Sequence, residues 1–579
     1  MPGEPGSMSK RALLAWLPAS GWLRGYRRAD AGADLGAALI VTLMMVPQAL
    51  AYALLAGLPP ETGLYASMLP LLAYALFGSS RTLSVGPMAV VSLMTAAAAS
   101  QVAAAGSAAY PQAALVLALL SGGFLLVMGL LRMGWIANLL SHAVVSGLIL
   151  ASGILIAGSQ LKHLLGIPIQ GGTLPELVLS MARHARQSDP ATLVLGLSVL
   201  AILLGLRRLG GRAARLGPLA VVLASVAVSA FWHLDRHGVA VVGAIPGGLP
   251  ALALPAFDAA LWGQLAVPAL LIALIGFVES ISVAQTLAAK RRQRIDTNQE
   301  LVGLGAANLA AAVSGGFPVT GGLARSVVNH DAGARTPLAG VFTAAGLALV
   351  ALFLTSWLYY LPTATLAAII IIAVIGLLDP GEVVRTWRYS RSDCLALIVT
   401  LAGVLLAGIT TGLIAGVASA LALYLWRTSQ PHMAELGQMP GSEHFRNVQR
   451  HDVVVSPTVL SLRVDESLFF ANARHIEDVI YDTAVQRPTV RHVVLLCSAI
   501  SHIDASALDS LETLNRRLAD AGMTLHLSEV KGPVMDRLKR SSFLDHLNGQ
   551  VFLSHFVALH TLDPDSANQG LLPARSEGR

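Results

Sequence analysis

Apolar segments of about membrane-spanning length follow one another through the first 430 residues, separated by short polar, glycine- or proline-containing stretches. Their spacing predicts fourteen membrane spans in two sets of seven. The first set is 35–56, 63–78, 84–104, 112–131, 136–158, 192–206 and 217–233, and the second is 264–288, 299–314, 318–330, 337–357, 362–378, 394–409 and 411–427. The pattern therefore predicts an α-helical membrane domain over 35–428, with repeat one at 35–233 and repeat two at 264–428.

Basic residues gather at alternate boundaries between these spans, which bears on orientation. They are Arg81, Arg132, Arg207, Arg208, Arg212, Arg215, Lys290, Arg291, Arg292, Arg294, Arg385, Arg388, Arg391 and Arg427. The long loop 159–191 also holds basic residues, although it is predicted on the outer side, but long loops carry little topological information. The positive-inside rule thus places both termini in the cytoplasm. Because each set holds an odd number of spans, the second set is inverted relative to the first.

Composition agrees with a membrane protein. Of 579 residues, 55% are hydrophobic and 12% are charged, against about 25% charged residues in soluble proteins. The net charge of +6 is divided among short clusters between apolar runs, so nucleic acid is not an expected partner. Cys394 and Cys497 lie far apart in different regions, and a structural disulfide is not expected.

Two proline-glycine stretches, 84–89 and 314–326, interrupt the third span of each repeat. Proline fits the first turn of a helix, so we expect Pro87 and Pro318 to begin half-helices inside the membrane. Such a start leaves amide N–H groups unpaired and carries about half a positive charge. Two of these starts facing each other would bind an anion without a metal, and paired interrupted spans are typical of transporter substrate sites.

Two ionisable side chains, Glu279 and Arg325, stand out within the predicted spans. A charge at that depth costs about 2.5–3.5 kcal/mol on insertion scales, so such residues are candidates for function. We predict that Arg325 adds positive charge beside the anion and that Glu279 is a titratable partner. The alternative is a structural Glu279–Arg325 ion pair that clamps two spans.

Polar side chains in the first span point to the same cavity. Gln48 follows Pro47, which would kink the helix, and Tyr52 lies one turn further on the same face. We predict that both line the cavity, whereas the alternative for Gln48 is a hydrogen bond between helices. The chain has no phosphate-binding loop and its histidines show no metal-ligand spacing. We therefore expect no metal site and no ATP-driven pumping. We also predict neither enzyme activity nor a cofactor.

The regions outside the spans divide into four predicted segments. Residues 1–34 are basic and aromatic, as expected of a cytoplasmic or interfacial segment. Residues 429–451 are polar and predict a linker, and 563–579 predict a disordered tail. Between them, 452–562 alternate short β-rich runs with amphipathic helical stretches, which predicts an α/β domain.

The motifs resemble those of the sulfate permease (SulP) family. They are 47–53 (Pro-Gln-Ala-Leu-Ala-Tyr-Ala), 57–67 (Gly-Leu-Pro-Pro-Glu-Thr-Gly-Leu-Tyr-Ala-Ser), 84–87 (Ser-Val-Gly-Pro), 277–280 (Phe-Val-Glu-Ser) and 316–321 (Gly-Phe-Pro-Val-Thr-Gly). The resemblance covers residues 12–560. It implies a 14-span inverted-repeat transporter of seven plus seven spans with core and gate bundles, a cytoplasmic C-terminal STAS domain, and a homodimer in a bacterial-type inner membrane.

The resemblance also implies a substrate site and a coupling residue. The substrate-binding positions are Gln48, Tyr52, Pro87, Met88, Gly321, Gly322, Ala324 and Arg325. Some relatives have serines at the positions of Gly322 and Ala324, which leaves backbone amides to hold the anion here. Glu279 is the expected proton-coupling residue. In the STAS domain, Ser506 in the run 503–508 is a candidate for regulatory phosphorylation, and the domain is a candidate surface for a regulatory protein.

These expectations lead to one main hypothesis and three competing ones. The main hypothesis is secondary active, proton-coupled uptake of a small inorganic anion, sulfate first, by alternating access. A helix-dipole site reads charge and size more than identity, so a transporter of bicarbonate, chloride, fumarate or succinate is the first competing hypothesis. The second is an anion channel, and the third is a membrane-bound regulator whose STAS domain binds a partner protein.

Overall fold

The computed structural model describes residues 18–572 except 105, 139–140, 170, 210, 254, 256 and 377, and it divides into two compact units at Ala420 and Leu421. The first unit is helical apart from two short strands. Its elements are α1 (Ala19–Arg24), α2 (Arg28–Leu55), α3 (Pro60–Phe77), β1 (Val85–Gly86), α4 (Ala89–Val102), α5 (Ala109–Leu130), α6 (His142–Leu165), α7 (Leu174–His184), α8 (Pro190–Leu209), α9 (Gly211–Trp232), α10 (Ala259–Lys290), α11 (Thr297–Val313), β2 (Thr320–Gly321), α12 (Leu323–Asp331), α13 (Leu338–Phe353), α14 (Thr363–Ile375), α15 (Gly381–Tyr389), α16 (Arg391–Ala407) and α17 (Ile409–Ser429).

Each of the fourteen predicted spans has a helix as its counterpart; α1 precedes the first of these helices, and α7 and α15 lie between later ones. Among the described helices, six are long and apolar enough to cross a membrane, namely α2, α5, α6, α8, α10 and α17, and four more are shorter and apolar. The bounds differ at several ends. α2 begins at Arg28 rather than at 35, and α6 runs 142–165 rather than 136–158. Residues 1–17 of the predicted N-terminal segment lie outside the described residues.

Helix packing in this unit has two groups that each combine both repeats. In one group, α5 packs on α11 as α13 packs on α3, and α2 packs on α13 as α10 packs on α5. In the other, α6 packs on α16 as α14 packs on α8. In each comparison, a contact between span m of repeat one and span n of repeat two is matched by a contact between span n of repeat one and span m of repeat two. This is the contact pattern of an inverted repeat. The first group, whose helices α3 and α10 contact β1 and β2, is the core bundle, and the second group is the gate bundle.

The second unit contains a six-stranded sheet in the order β4-β3-β5-β6-β7-β8, whose last four strands run parallel. Its elements are β3 (Met433–Gln438), β4 (Phe445–Asn447), β5 (Val459–Val464), α18 (Ala473–Val485), β6 (His492–Leu496), α19 (Ala505–Asp520), β7 (Thr524–Ser528), α20 (Gly532–Leu538), α21 (Phe543–His546), β8 (Val551–Phe552), α22 (His555–Leu562) and α23 (Pro564–Leu571). Apolar side chains of the parallel strands pack against α18 and α19 to form its main core, as expected of an α/β domain.

Two predicted segments around this domain are wrong in part. Residues 433–438 and 445–447, in the predicted linker 429–451, form β3 and β4 and belong to the sheet. Glu435 on β3 is neutralised by Arg487, with oxygen–nitrogen distances of 2.5 and 2.7 Å, which allows a polar segment to pair as a strand. In the predicted disordered tail, Pro564–Leu571 is a helix whose first turn is capped by Asp563. Residues 573–579 of that tail lie outside the described residues.

Candidate anion-binding site

The two interrupted stretches lie side by side as an antiparallel strand pair. Val85 pairs with Gly321 and Gly86 with Thr320, and Gly322 N–H donates to the carbonyl of Ser84 over 3.0 Å. The pair joins positions that are more than 230 residues apart in sequence and belong to different repeats. The expectation that the two breaks face each other therefore agrees with the geometry.

Each strand leads directly into a half-helix. α4 begins after Met88 and α12 begins after Gly322, and neither helix has a side chain that caps its first amides or an acidic residue in its first turn. The first turns thus present positive ends with no anionic side chain of their own. The prediction that prolines occupy these first turns is wrong. Pro87 and Pro318 lie before the helices, because the backbone stays extended until the strand pairing ends.

Arg325 lies where the strand pair meets α12. Its side chain is only 1% exposed, and Nε, Nη1 and Nη2 have no hydrogen-bond partner within the described residues. The guanidinium lies against two glycines: a Cβ built on Gly86 would be 3.0 Å from Nη1, and one on Gly322 would be 2.8 Å from Nε and 2.9 Å from Met88 Sδ. A buried cation without a partner is costly, so this arrangement favours an anionic ligand beside it.

Glu279 is partly buried on α10, and its Oε2 also has no hydrogen-bond partner among the residues that the structure describes. No ion pair joins Glu279 to Arg325 in the described part of the chain. The alternative of a structural clamp between them is therefore wrong. The site thus holds a buried guanidinium and, separately, a carboxyl group, and neither compensates the charge of the other.

The remaining predicted residues are distributed around this point. Tyr52 on α2 is 6% exposed and lies within electrostatic range of Arg325. Gln48, one turn earlier, is partly buried, whereas Ala324 is exposed. Gly321 and Gly322 are buried in the strand pair. The structure thus groups Met88, Gly322 and Arg325 by direct packing, and places Gln48 and Glu279 on neighbouring helices without contacts that fix their role.

The hydroxyl groups of Ser280 and Thr320 hold β2 against α10. Ser280 Oγ donates to the carbonyl of Gly276 over 2.6 Å and accepts from Gly321 N–H over 2.8 Å. Thr320 Oγ1 also donates to Gly276 and lies 2.7 Å from Ser280 Oγ. Because Ser280 is adjacent to Glu279, this network fixes the Glu279 turn of α10 relative to the anion site. In the sequence, the position of Ser280 directly after Glu279 was the available signal for this role.

The side chain of Asn308 hydrogen-bonds the backbone just before β2 in the way that a neighbouring strand would. From α11, its Nδ2 donates to the carbonyl of Val319 and its Oδ1 accepts from Val319 N–H, both over 2.9 Å. Both backbone groups of a buried extended residue are thereby satisfied, as a low-dielectric environment requires. An amide in the middle of an apolar span was the signal in the sequence.

In the second unit, Ser506 is exposed at the second position of α19. Asp504 caps this helix by accepting from Ala507 N–H over 2.8 Å, and it also accepts from Phe470 N–H over 2.8 Å. The capping role that the sequence allowed for Asp504 is therefore present, and the Ser506 hydroxyl remains accessible.

Comparison with known proteins agrees with both units. Residues 32–400 match the sulfate permease family and residues 450–557 match the STAS domain. Sulfate transporter 4.1 (chloroplastic) of Arabidopsis thaliana is 34% identical over 96% of this chain and 84% of its own length. A probable sulfate transporter of Mycobacterium tuberculosis is 35% identical over 92% of this chain and 95% of its own length.

Solved structures share the fold at lower identity. The murine Slc26a9 anion transporter in the inward-facing state has a TM-score of 0.87 at 23% identity, covering 98% of this chain and 96% of that one. The transmembrane domain of the cyanobacterium bicarbonate transporter BicA has a TM-score of 0.59 at 23% identity, covering 68% of this chain and 98% of that domain.

Proposed function

Because this chain belongs to the sulfate permease family of anion transporters, we propose that it takes up sulfate together with protons by secondary active transport. One observation supports a negatively charged substrate. The buried guanidinium of Arg325, which has no partner among the described residues, lies at the strand pair from which two half-helices begin. An oxyanion there would receive amide N–H groups from α4 and α12 and the planar fork of Arg325. The names of its relatives favour sulfate among oxyanions.

Proton coupling rests on Glu279. Its Oε2 is buried and receives no hydrogen bond from the described part of the chain, and Arg325 does not compensate its charge. A dianion entering the site would repel an ionised Glu279, so uptake of a proton by this carboxyl group favours binding. The core bundle with its strand pair would then move relative to the gate bundle, and release of the anion would release the proton.

Proteoliposomes test this proposal. Wild-type protein is expected to accumulate labelled sulfate when the outside is made acidic, and to lose accumulation when a protonophore removes the gradient. Glu279→Gln is expected to exchange sulfate with little dependence on the gradient, because it cannot release a proton. Ser282→Ala is the matched control, since within the described residues that hydroxyl donates only to the carbonyl of Val278 on its own helix.

Two results would reject parts of the proposal. Absence of sulfate uptake by the wild type would reject the substrate, and counter-transport of bicarbonate, chloride, fumarate and succinate would identify another. Full gradient dependence in Glu279→Gln would reject this residue as the proton carrier. Large unitary currents that do not saturate with anion concentration would favour a channel over alternating access.

The assembly and its placement are also proposals. We expect a homodimer in a bacterial-type inner membrane, as the resemblance to sulfate permeases implies. We expect both termini in the cytoplasm, because basic residues gather at alternate boundaries between the predicted spans. Light scattering with detergent subtracted measures the oligomer, and labelling of single cysteines placed near each terminus measures the orientation.

The STAS domain is proposed as a regulatory unit. A phosphate on exposed Ser506 would lie at the positive end of α19 and add negative charge to the surface. Deletion of 431–579 tests the alternative that the chain is mainly a regulator. If the chain is a transporter, the deleted protein keeps measurable uptake. If it is mainly a regulator, the deletion abolishes partner binding and the cellular phenotype, and neither of these depends on uptake.

A further inference from the structure

A second basic site lies in the first unit, away from Arg325. A cavity of about 330 Å³ is bounded by α1, the start of α2, and the segments that follow α3, α10 and α12. Its lining residues are Gly21, Trp22, Gly25, Asp30, Arg81, Arg291, Gln293, Arg335 and Thr336. This volume accommodates a phosphate-sized group with several waters, each of about 30 Å³.

The charges around this cavity do not cancel. Asp30 accepts from Arg335 Nη1 over 3.0 Å, and the fully buried Asp34 accepts from Arg335 N–H and from Thr336. Against these two carboxylates stand three guanidinium groups. Arg81 is exposed and forms no ion pair or hydrogen bond within the described residues, so it is the surplus cation.

Arg291 connects the cavity to the transport site. Its Nη1 and Nη2 donate to the carbonyls of Ala334 and His330 over 2.5 and 3.1 Å, which caps the C-terminal end of α12. The pKa of Arg291 is lowered by burial and by the like charges of Arg335 and Arg81. Arg81, Arg291 and Arg335 line the same cavity, so their like charges repel one another, and an anion between them would relieve that repulsion.

We propose that this cavity binds a phosphate-type oxyanion, supplied either in solution or as the headgroup of an anionic lipid. Arginine forks match the oxygen geometry of such groups, and Arg81 has its fork free. Arg81 precedes β1 by four residues, and Arg335 follows α12 by four. An oxyanion held by both ties together the segments that carry the two halves of the transport site.

Thermal denaturation of the full chain in an Arg325→Gln background tests the proposal, because that change removes the cation of the transport site. One arm titrates inorganic phosphate in neutral detergent at constant ionic strength. The other arm compares nanodiscs of phosphatidylglycerol with nanodiscs of phosphatidylcholine. Binding at ten times Kd is expected to raise the midpoint by on the order of 1 °C for a chain of this size.

The variants assign the shift to the cavity. Arg81→Gln is expected to abolish it and Arg335→Gln to weaken it, whereas Arg24→Gln, an exposed arginine of α1 outside the lining, keeps it. A shift in the phosphate arm identifies a soluble oxyanion, and one only with phosphatidylglycerol identifies a lipid headgroup. No shift in either arm, or the same shift in Arg81→Gln, overturns the proposal. Since no transport is measured, failure here is distinct from failure of sulfate uptake.

Discussion

The backbone of Gly86 lies against the guanidinium of Arg325, so that a Cβ built on the glycine would be 3.0 Å from Nη1 and 3.5 Å from Cζ. The two residues belong to different repeats and meet only because β1 pairs with β2. The position of the buried cation is therefore set by the absence of a side chain on the opposite strand.

Gly86→Ala tests this relationship. The added methyl group would also lie 2.9 Å from Met45 Cε, which is flexible, so the protein is expected to fold with Arg325 displaced by a few tenths of an ångström. Apparent KM for the anion should rise roughly tenfold, in line with the 1–3 kcal/mol typical of overpacking. Gly123→Ala on α5, where a Cβ meets nothing within 4 Å, is the control. An unchanged KM in Gly86→Ala would separate Arg325 from anion binding.

The sequence predicted the parts of this site that depend on composition. Glu279 and Arg325 were identifiable because charge inside an apolar span is costly. The paired breaks were identifiable because glycine and proline interrupt helices. These signals are local, and they carry no information about which residues meet.

The parts that depend on long-range pairing were not predictable from the sequence. The register of Val85 with Gly321 keeps the backbone extended up to Gly322, and this moves the start of α12 five residues beyond Pro318. The partners of Ser280 and Asn308 were hidden for a similar reason. Hydroxyl and amide groups in membrane helices have many possible acceptors, and only the fold selects Gly321 and Val319.

Arg325 can be tested by replacing its charge and its shape separately. Arg325→Gln removes the cation, and loss of a hydrogen bond to a charged group, about 1.5–3 kcal/mol, predicts a KM about 10–100-fold higher. Arg325→Lys keeps the charge but not the fork and should lie between this variant and the wild type. Labelled-anion uptake at varied concentration measures the effect.

Stability distinguishes a binding role of Arg325 from a structural one. Because its nitrogens have no partner among the described residues, Arg325→Gln removes an uncompensated buried charge, and the thermal midpoint should stay equal or rise. Arg388→Gln, on the short helix α15, controls for the loss of one positive charge. A clear fall in the midpoint of Arg325→Gln, with KM unchanged, would show that the side chain is structural.

Asn308→Leu tests the side chain that hydrogen-bonds the backbone of Val319. It keeps a similar volume but leaves Val319 N–H and C=O unpaired in a buried position, at about 1–3 kcal/mol for each group. We expect a lower thermal midpoint and a lower maximal uptake rate, because β2 and the start of α12 lose their support. Asn329→Leu removes a single side-chain bond, Nδ2 to the carbonyl of Thr82, and is expected to cost about half as much. Equal thermal midpoints for wild type and Asn308→Leu would contradict this role.

Two buried histidines predict how the isolated STAS domain, residues 431–572, responds to acid. Burial lowers the pKa of His526 to about 4, with a further contribution from the charge of His492, and burial alone lowers the pKa of His555 to about 4. In the unfolded chain both imidazoles titrate near 6.5, so between pH 6.5 and 4 the unfolded state binds more protons. The free energy of unfolding therefore falls as the pH falls through this window, by on the order of 3 kcal/mol for each imidazole at most.

Urea denaturation at pH 7.5, 6, 5 and 4.5 measures this fall. His555→Asn, which keeps an amide near Ser528, should reduce the slope of the unfolding free energy against pH by about half. His475→Gln changes an exposed histidine and should leave the slope unchanged. If wild type and His555→Asn show the same slope, the acid sensitivity does not come from this buried imidazole.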